Sequence, residues 1–258
     1  IRPGTRVCGF CGHPIFNNPT LEQLYFSRLA AAAPQKLIQK VRSVPYLSKE
    51  QRTVTAITLT IANADVFSQN IPEAGQSEIL NTALDRIASI IFEFEGSIAK
   101  LWENTVLAFF GAPVAHEDDP QRAVHAAGSI LVEMDKYSQT IQEKFGVPIE
   151  LHIVLNTGPI LTGELKTNLQ FDFQSMNETL ECMDRATRIS LPRNKIILFE
   201  DTFRFVKPFV QCTELSDPFC TEIGQDHHLW QVEHVNRPDS SILRTPINHS
   251  TPLIGRDR

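Results

Sequence analysis

The sequence predicts an α+β fold, a ferredoxin-like βαββαβ core with C-terminal additions, and three observations carry that prediction. Apolar residues switch between alternation and helical spacing along the middle of the chain. The segments so defined follow one another as strand, helix, strand, strand, helix, strand. The two central strand segments are separated by little more than Glu103-Asn104, which makes them a hairpin.

Taken in order, Thr53–Ile61 alternates small, branched and apolar residues as a buried strand does. Glu78–Phe94 places Leu80, Leu84, Ile87, Ile91 and Phe94 at steps of three and four, one face of a helix, and Gly96 stands where a helix commonly ends. Ser97–Trp102 and Val106–Phe110 are the arms of the hairpin. Asp118-Asp119-Pro120 caps a second helix, lined on one side by Val124, Ala127, Leu131 and Met134. Ile149–Asn156 is a strand closed by Thr157-Gly158-Pro159, with Ile160–Gly163 continuing the sheet. Leu180–Ser190 is the third helix, and Lys195–Phe199 and Leu229–Val235 are the last strands. A sheet of this kind carries helices on one face, so its other face needs a cover.

The flanks differ in character. Residues 1–20 are rich in Gly, Pro, Asn and Cys, a composition for loops and metal knuckles. Cys8 and Cys11, two residues apart, form half of a zinc ribbon, with His13 a third candidate ligand. The alternative is a pair of free thiols in an arm. Residues 21–48 read as a linker helix, with Leu24, Leu29, Leu37, Ile38 and Val41 at helical spacing. Residues 49–235 form the main domain, and 236–258 a linker into a following module. The chain begins at Ile1 and stops at Arg258 without a terminating element, so an excerpt from a larger protein is expected.

Of the 258 residues, 42% are hydrophobic and 21% charged, ordinary for a globular protein. A net charge of -6 argues against nucleic acid or an anionic membrane as partner. No apolar run approaches the roughly 20 residues needed to span a bilayer, and no signal peptide is evident, so a cytoplasmic protein is expected. Five scattered cysteines do not make a disulfide framework. Cys182, Cys212 and Cys220 are expected to be buried or idle, and His227-His228 a loop feature.

Function enters through particular residues. Arg52-Thr53-Val54-Thr55, then Gly96-Ser97-Ile98-Ala99-Lys100-Leu101-Trp102, then Phe109-Phe110-Gly111-Ala112-Pro113 followed by His116-Glu117-Asp118-Asp119-Pro120 and Ala123, resemble a class III adenylate/guanylate cyclase homology domain. Asn156-Thr157-Gly158 and Gly163 resemble that family's strand, turn and strand before its nucleotide-binding helix. The resemblance spans Lys49 to Val235, about 190 residues, the size of one domain.

The resemblance implies a homo- or heterodimer with its active site at the interface, where a ribose 3′-oxygen attacks the α-phosphate of a nucleoside triphosphate and pyrophosphate leaves. It implies two divalent ions held by two aspartates, an asparagine on the ribose and an arginine on the α-phosphate. Carried over, the metal aspartates fall on Thr60 and Asn104, both neutral, so Mg²⁺ or Mn²⁺ is not expected there. Asp65 and Glu103 are the nearby carboxylates that offer a substitute, and solvated surface acids are the expectation for both. Glu181 takes the base-recognition position, Asp184 that of the ribose asparagine and Arg188 that of the arginine; another register gives the last role to Arg185. Leu180 stands where the family has glycine, and Arg188 is alternatively a surface arginine. Lys100 matches the lysine that contacts adenine, and with Glu181 it favours ATP over GTP.

Pro252-Leu253-Ile254-Gly255-Arg256-Asp257 resembles the opening of a signal-transduction P-loop ATPase module, without a Walker A loop. Three functions follow from the resemblance: a regulatory pseudo-cyclase in intracellular signalling, an adenylate cyclase subunit active only in a heterodimer or with a non-standard metal site, and a structural dimerisation module.

Overall fold

A computed structural model describes residues 50–102, 104–165, 171–174, 178–189, 191–215 and 228–236, together with 33, 35, 38 and 39. The expected zinc ligands Cys8, Cys11 and His13, the turn residue Glu103, Cys220, His227 and the ATPase-like segment lie outside these residues. Of the expected linker helix, residues 35, 38 and 39 are helical, and Ala33 and Ile38 pack on the core.

The elements are β1 (Glu50–Ile61), α1 (Ala64–Asn70), α2 (Glu73–Glu93), β2 (Ser97–Trp102), β3 (Thr105–Phe110), α3 (Asp119–Phe145), β4 (Leu151–Leu165), β5 (Phe171–Gln174), α4 (Glu178–Arg188), β6 (Lys195–Phe199), α5 (Glu200–Val206), β7 (Val210–Leu215) and β8 (Leu229–Val235). The strands form one sheet in the order β2-β3-β1-β4-β6-β8-β7, with β5 hanging from the far end of β4. β1, α2, β2, β3, α3 and β4 make the expected βαββαβ core, and β6 to β8 with α5 extend it. Among the described residues every pairing is antiparallel except β4 with β6, which α4 connects.

The sheet has a core on each face because β1 alternates. Ile57, Leu59 and Ile61 pack with Ile87 and Ile91 of α2 and Val124, Ala127 and Ile130 of α3. Val54 and Ala56 face the other way, onto Leu180, Met183 and Ala186 of α4, with Val154 and Ile197. Thus α4 covers much of the face the sequence left bare. Each fully buried aliphatic side chain contributes about 1.5–3 kcal/mol through the apolar surface it removes from water.

Three expectations are corrected. Thr157-Gly158-Pro159 is not a turn: β4 runs unbroken through it, registered against Thr55, Val54 and Thr53 of β1. The carbonyl of Pro159 accepts from Thr179 Oγ1 at 3.5 Å. Gly158 is required by packing, because a Cβ there would meet Thr179 Oγ1 at 2.3 Å.

At the end of α2 the left-handed residue is Glu95 (φ 63°), not Gly96. Gly96 is needed instead because a Cβ would lie 2.8 Å from Ile91 and Phe110. Asp118 caps no amide of α3; its carboxylate accepts from Arg122 Nε at 2.7 Å. Asp119 Oδ2 accepts from the backbone N–H of His116 at 2.7 Å instead.

Candidate functional site

β1 and the β2–β3 hairpin bring Thr60 and Asn104 together. Thr60 is registered opposite Thr105, their hydroxyl oxygens 3.0 Å apart. Asn104 sits in the turn and is tied to the end of β1 twice: its carbonyl accepts from the N–H of Ile61 at 2.9 Å, and its Nδ2 donates to the carbonyl of Ile61 at 2.9 Å. Asn104 Oδ1 also accepts from Thr105 Oγ1 at 3.5 Å. Thr60, Asn104 and Thr105 form one half-buried polar cluster that is neutral throughout and largely satisfied by its own members. Thr105 escaped the sequence reading, since a hydroxyl opposite Thr60 shows only once the register is known.

Lys100 is registered opposite Leu107, after a bulge between Ile98 and Lys100. Leu107 is in turn opposite Thr58, so Lys100 shares the α4-bearing face with Thr58 and Thr60. Lys100 is half-buried, and Asp65 is exposed in the first turn of α1.

The remaining candidates lie on α4, whose sequence divides it cleanly. Thr179, Cys182, Met183 and Ala186 are buried at steps of three, one and three, while Glu181, Asp184, Arg185 and Arg188 face outward. Arg188 pairs with Asp184 at 2.5 Å, and Arg185 with Glu181 at 4.0 Å. Both are exposed i,i+4 pairs, each contributing only about 0.3–0.5 kcal/mol to the helix. Both arginines of the two alternative registers are therefore presented on one surface, each beside a carboxylate. Cys182 is buried, and burial raises its thiol pKa; burial also pushes the Cys212 thiol to about 11. His228 pairs with Glu214 at 2.7 Å.

A second polar group, within a motif that carried the resemblance, proves structural. His116 Nε2 lies 2.9 Å from Glu95, at the end of α2, and Nδ1 lies 3.4 Å from Asp119, at the start of α3. Its hydrogen bonds to Asp119 and then Glu95 raise its pKa to about 9 against the opposing effect of burial. Charged His116 clamps the two helices of the larger core together.

The architecture and the placing of the hairpin turn beside the end of β1 define the fold of the class III adenylyl and guanylyl cyclase domains. Among solved structures, the guanylyl cyclase Cya2 superposes with a TM-score of 0.63 at 20% identity, covering 75% of this chain and 98% of that one. The adenylyl cyclase CyaB from P. aeruginosa gives 0.60 at 20% identity, over 74% and 98%. The guanylate cyclase domain of RhGC from Catenaria anguillulae, solved with GTP, gives 0.57 at 19% identity, over 73% and 100%. No protein-family model matches the chain, and no curated protein matches it. At these identities the likeness is one of fold.

The divalent ions that the fold implies do not fit the residues at this place. A hydroxyl and an amide carry no charge, and here they are spent on Thr105 and Ile61, whereas Mg²⁺ is held by carboxylates and phosphates. Among the described residues no three His, Cys, Asp or Glu side chains gather into a metal-binding group. No helix among them is long and apolar enough to cross a membrane.

Proposed function

We propose that the chain is a cyclase-like regulatory domain that makes no cyclic nucleotide alone and passes a signal within a larger protein. The observation that carries this reading is the neutral cluster of Thr60, Asn104 and Thr105, at the positions to which the resemblance assigns two metal-binding carboxylates. ATP is the nucleotide this reading assigns, through Lys100 and Glu181, with a homo- or heterodimer as the working form in the cytoplasm. A zinc half-site at Cys8, Cys11 and His13 and an ATPase module that starts within residues 236–258 belong to the same reading.

A second reading is favoured by one observation: Glu181, Asp184 and Arg188 are all presented outward on α4, ready for a partner's nucleotide. In that case the chain is the half of a heterodimeric adenylate cyclase that contributes no metal site.

The test is a cyclase assay with ATP or GTP and excess Mn²⁺, on the unmodified chain and on Thr60→Asp/Asn104→Asp. The proposal expects no product from the unmodified chain, and product there would overturn it. Product from the double variant would show that loss of the metal site alone silenced the domain. Activity that appears only on mixing the unmodified chain with a subunit carrying both aspartates, and disappears with Arg188→Ala, would establish the heterodimer.

A further inference from the structure

Beyond Leu155 and Leu198 the parallel strands β4 and β6 part company. β4 continues beside β1, while β6 ends at Phe199 and turns directly into α5. The edge of β4 from Asn156 to Pro159 is left facing a crevice, with α4 packed on one face of the sheet and α5 on the other. Crevices at the carboxyl ends of parallel strands are the usual ligand sites of open sheets. This one encloses a cavity of about 380 Å³, within the range of small-molecule pockets.

Asn156 is 5% exposed and lines the crevice. Its Nδ2 donates to the carbonyl of Thr179 at 3.2 Å, but its buried Oδ1 accepts no hydrogen bond among the described residues. A buried amide oxygen left in that state calls for a donor. Thr53, Thr157, Thr179 and Cys182 line it as well, and the charged side chains among its lining are both acidic. Glu178 from α4 and Asp201 from α5 bring carboxylates, and Phe205, 54% exposed, presents an aromatic ring at the same cavity. Among the described residues no lysine or arginine lines it, although Arg204 lies 3.8 Å from Asp201.

A buried acceptor, two carboxylates and an aromatic ring together select a ligand that only donates and is positively charged. We propose that this crevice binds a small organic cation, an ammonium or guanidinium compound whose N–H groups donate to Asn156 Oδ1 and whose charge lies between Glu178 and Asp201. The site is separate from the Thr60 cluster: Thr53 lines the crevice, and Thr60 lies seven residues further along β1, roughly 23 Å away. An occupant joins α4 to α5 and so bears on the helix that presents Asp184 and Arg188.

The experiment is calorimetry together with amide chemical-shift mapping on the whole chain, with 1,4-diaminobutane as probe and 1,4-butanediol as its neutral control. Two variants accompany it: Glu178→Gln/Asp201→Asn, which changes exposed side chains only, and Asn156→Ala. The diamine is expected to bind the unmodified chain and shift the amides of Asn156, Gly158 and Cys182. Affinity should fall at least about tenfold in each variant, since each removes a charge-assisted or buried hydrogen bond. The diol should give neither heat nor shifts. Absence of diamine binding would mean that the crevice holds water alone, and would overturn the proposal. Binding unchanged in the double variant, equal binding of the diol, or shifts centred on Glu181 and Asp184 would each do the same.

Discussion

Thr60 accepts a hydroxyl neighbour, not a charge. A carboxylate placed there stands beside Thr105 and opposite His152, whose pKa burial lowers, so part of its hydration is lost without full return. Thr60→Asp is expected to lower stability by about 1–3 kcal/mol in chemical denaturation. In Thr60→Asp/Asn104→Asp, millimolar Mn²⁺ should recover that loss, because the ion binds the folded pair and not the unfolded chain. An unchanged denaturation midpoint in Thr60→Asp would show the position to be solvated.

His116 behaves in the opposite sense, since its charge is already compensated. Its pKa is raised from 6.5 to about 9, so its contribution is full below pH 6.5 and is lost as pH rises through about 9. His116→Gln should therefore destabilise most near about pH 6 and match the parent near about pH 10. A pH-independent difference would mean that the clamp owes nothing to the charge.

At the scale of elements, α4 is seated on β4 by the absence of a side chain at Gly158. Gly158→Ala sets a Cβ 2.3 Å from Thr179 Oγ1, and the expected cost is about 1–3 kcal/mol. Thr179→Ala removes the offending oxygen, so the double variant should be less destabilised than the two single changes add up to, by about 1 kcal/mol. Strict additivity in thermal unfolding would show that α4 shifts freely to make room. The same elements show what sequence can reveal. Long amphipathic segments such as α2 and α3 were legible because many residues repeat one spacing. Seven-residue α1 and α5 and four-residue β5 repeat too little to register. The continuity of β4 was hidden behind a glycine and a proline that ordinarily punctuate a strand, since only the packing of α4 explains them. Thr60 and Asn104 were found through resemblance, whereas Asn156 Oδ1 was not, because an unmet hydrogen bond depends on burial that spacing does not encode.

Across the whole molecule, the sheet separates two cores of unequal size. Ile130, fully buried in the larger one, should cost about 2–5 kcal/mol when truncated to Ala, visible as a lowered midpoint in chemical denaturation. A loss below about 1 kcal/mol would mean that α3 collapses easily onto the sheet.

The order and direction of the strands carry one more consequence. β1 runs antiparallel to β4, β4 parallel to β6, and β6 antiparallel to β8, so β1 and β8 point the same way. The chain therefore enters this run of four strands at Glu50 at one end of the sheet and leaves at Val235 at the other. Tension between those two points pulls along the strands, not across them. The twelve registered pairs from Glu50↔Thr162 to Ile61↔Leu151 then bear the load together, as a clamp in shear. A domain threaded this way resists force better than one that opens a pair at a time, up to the strength of the four-pair seams of β6 with β4 and β8 on the same path.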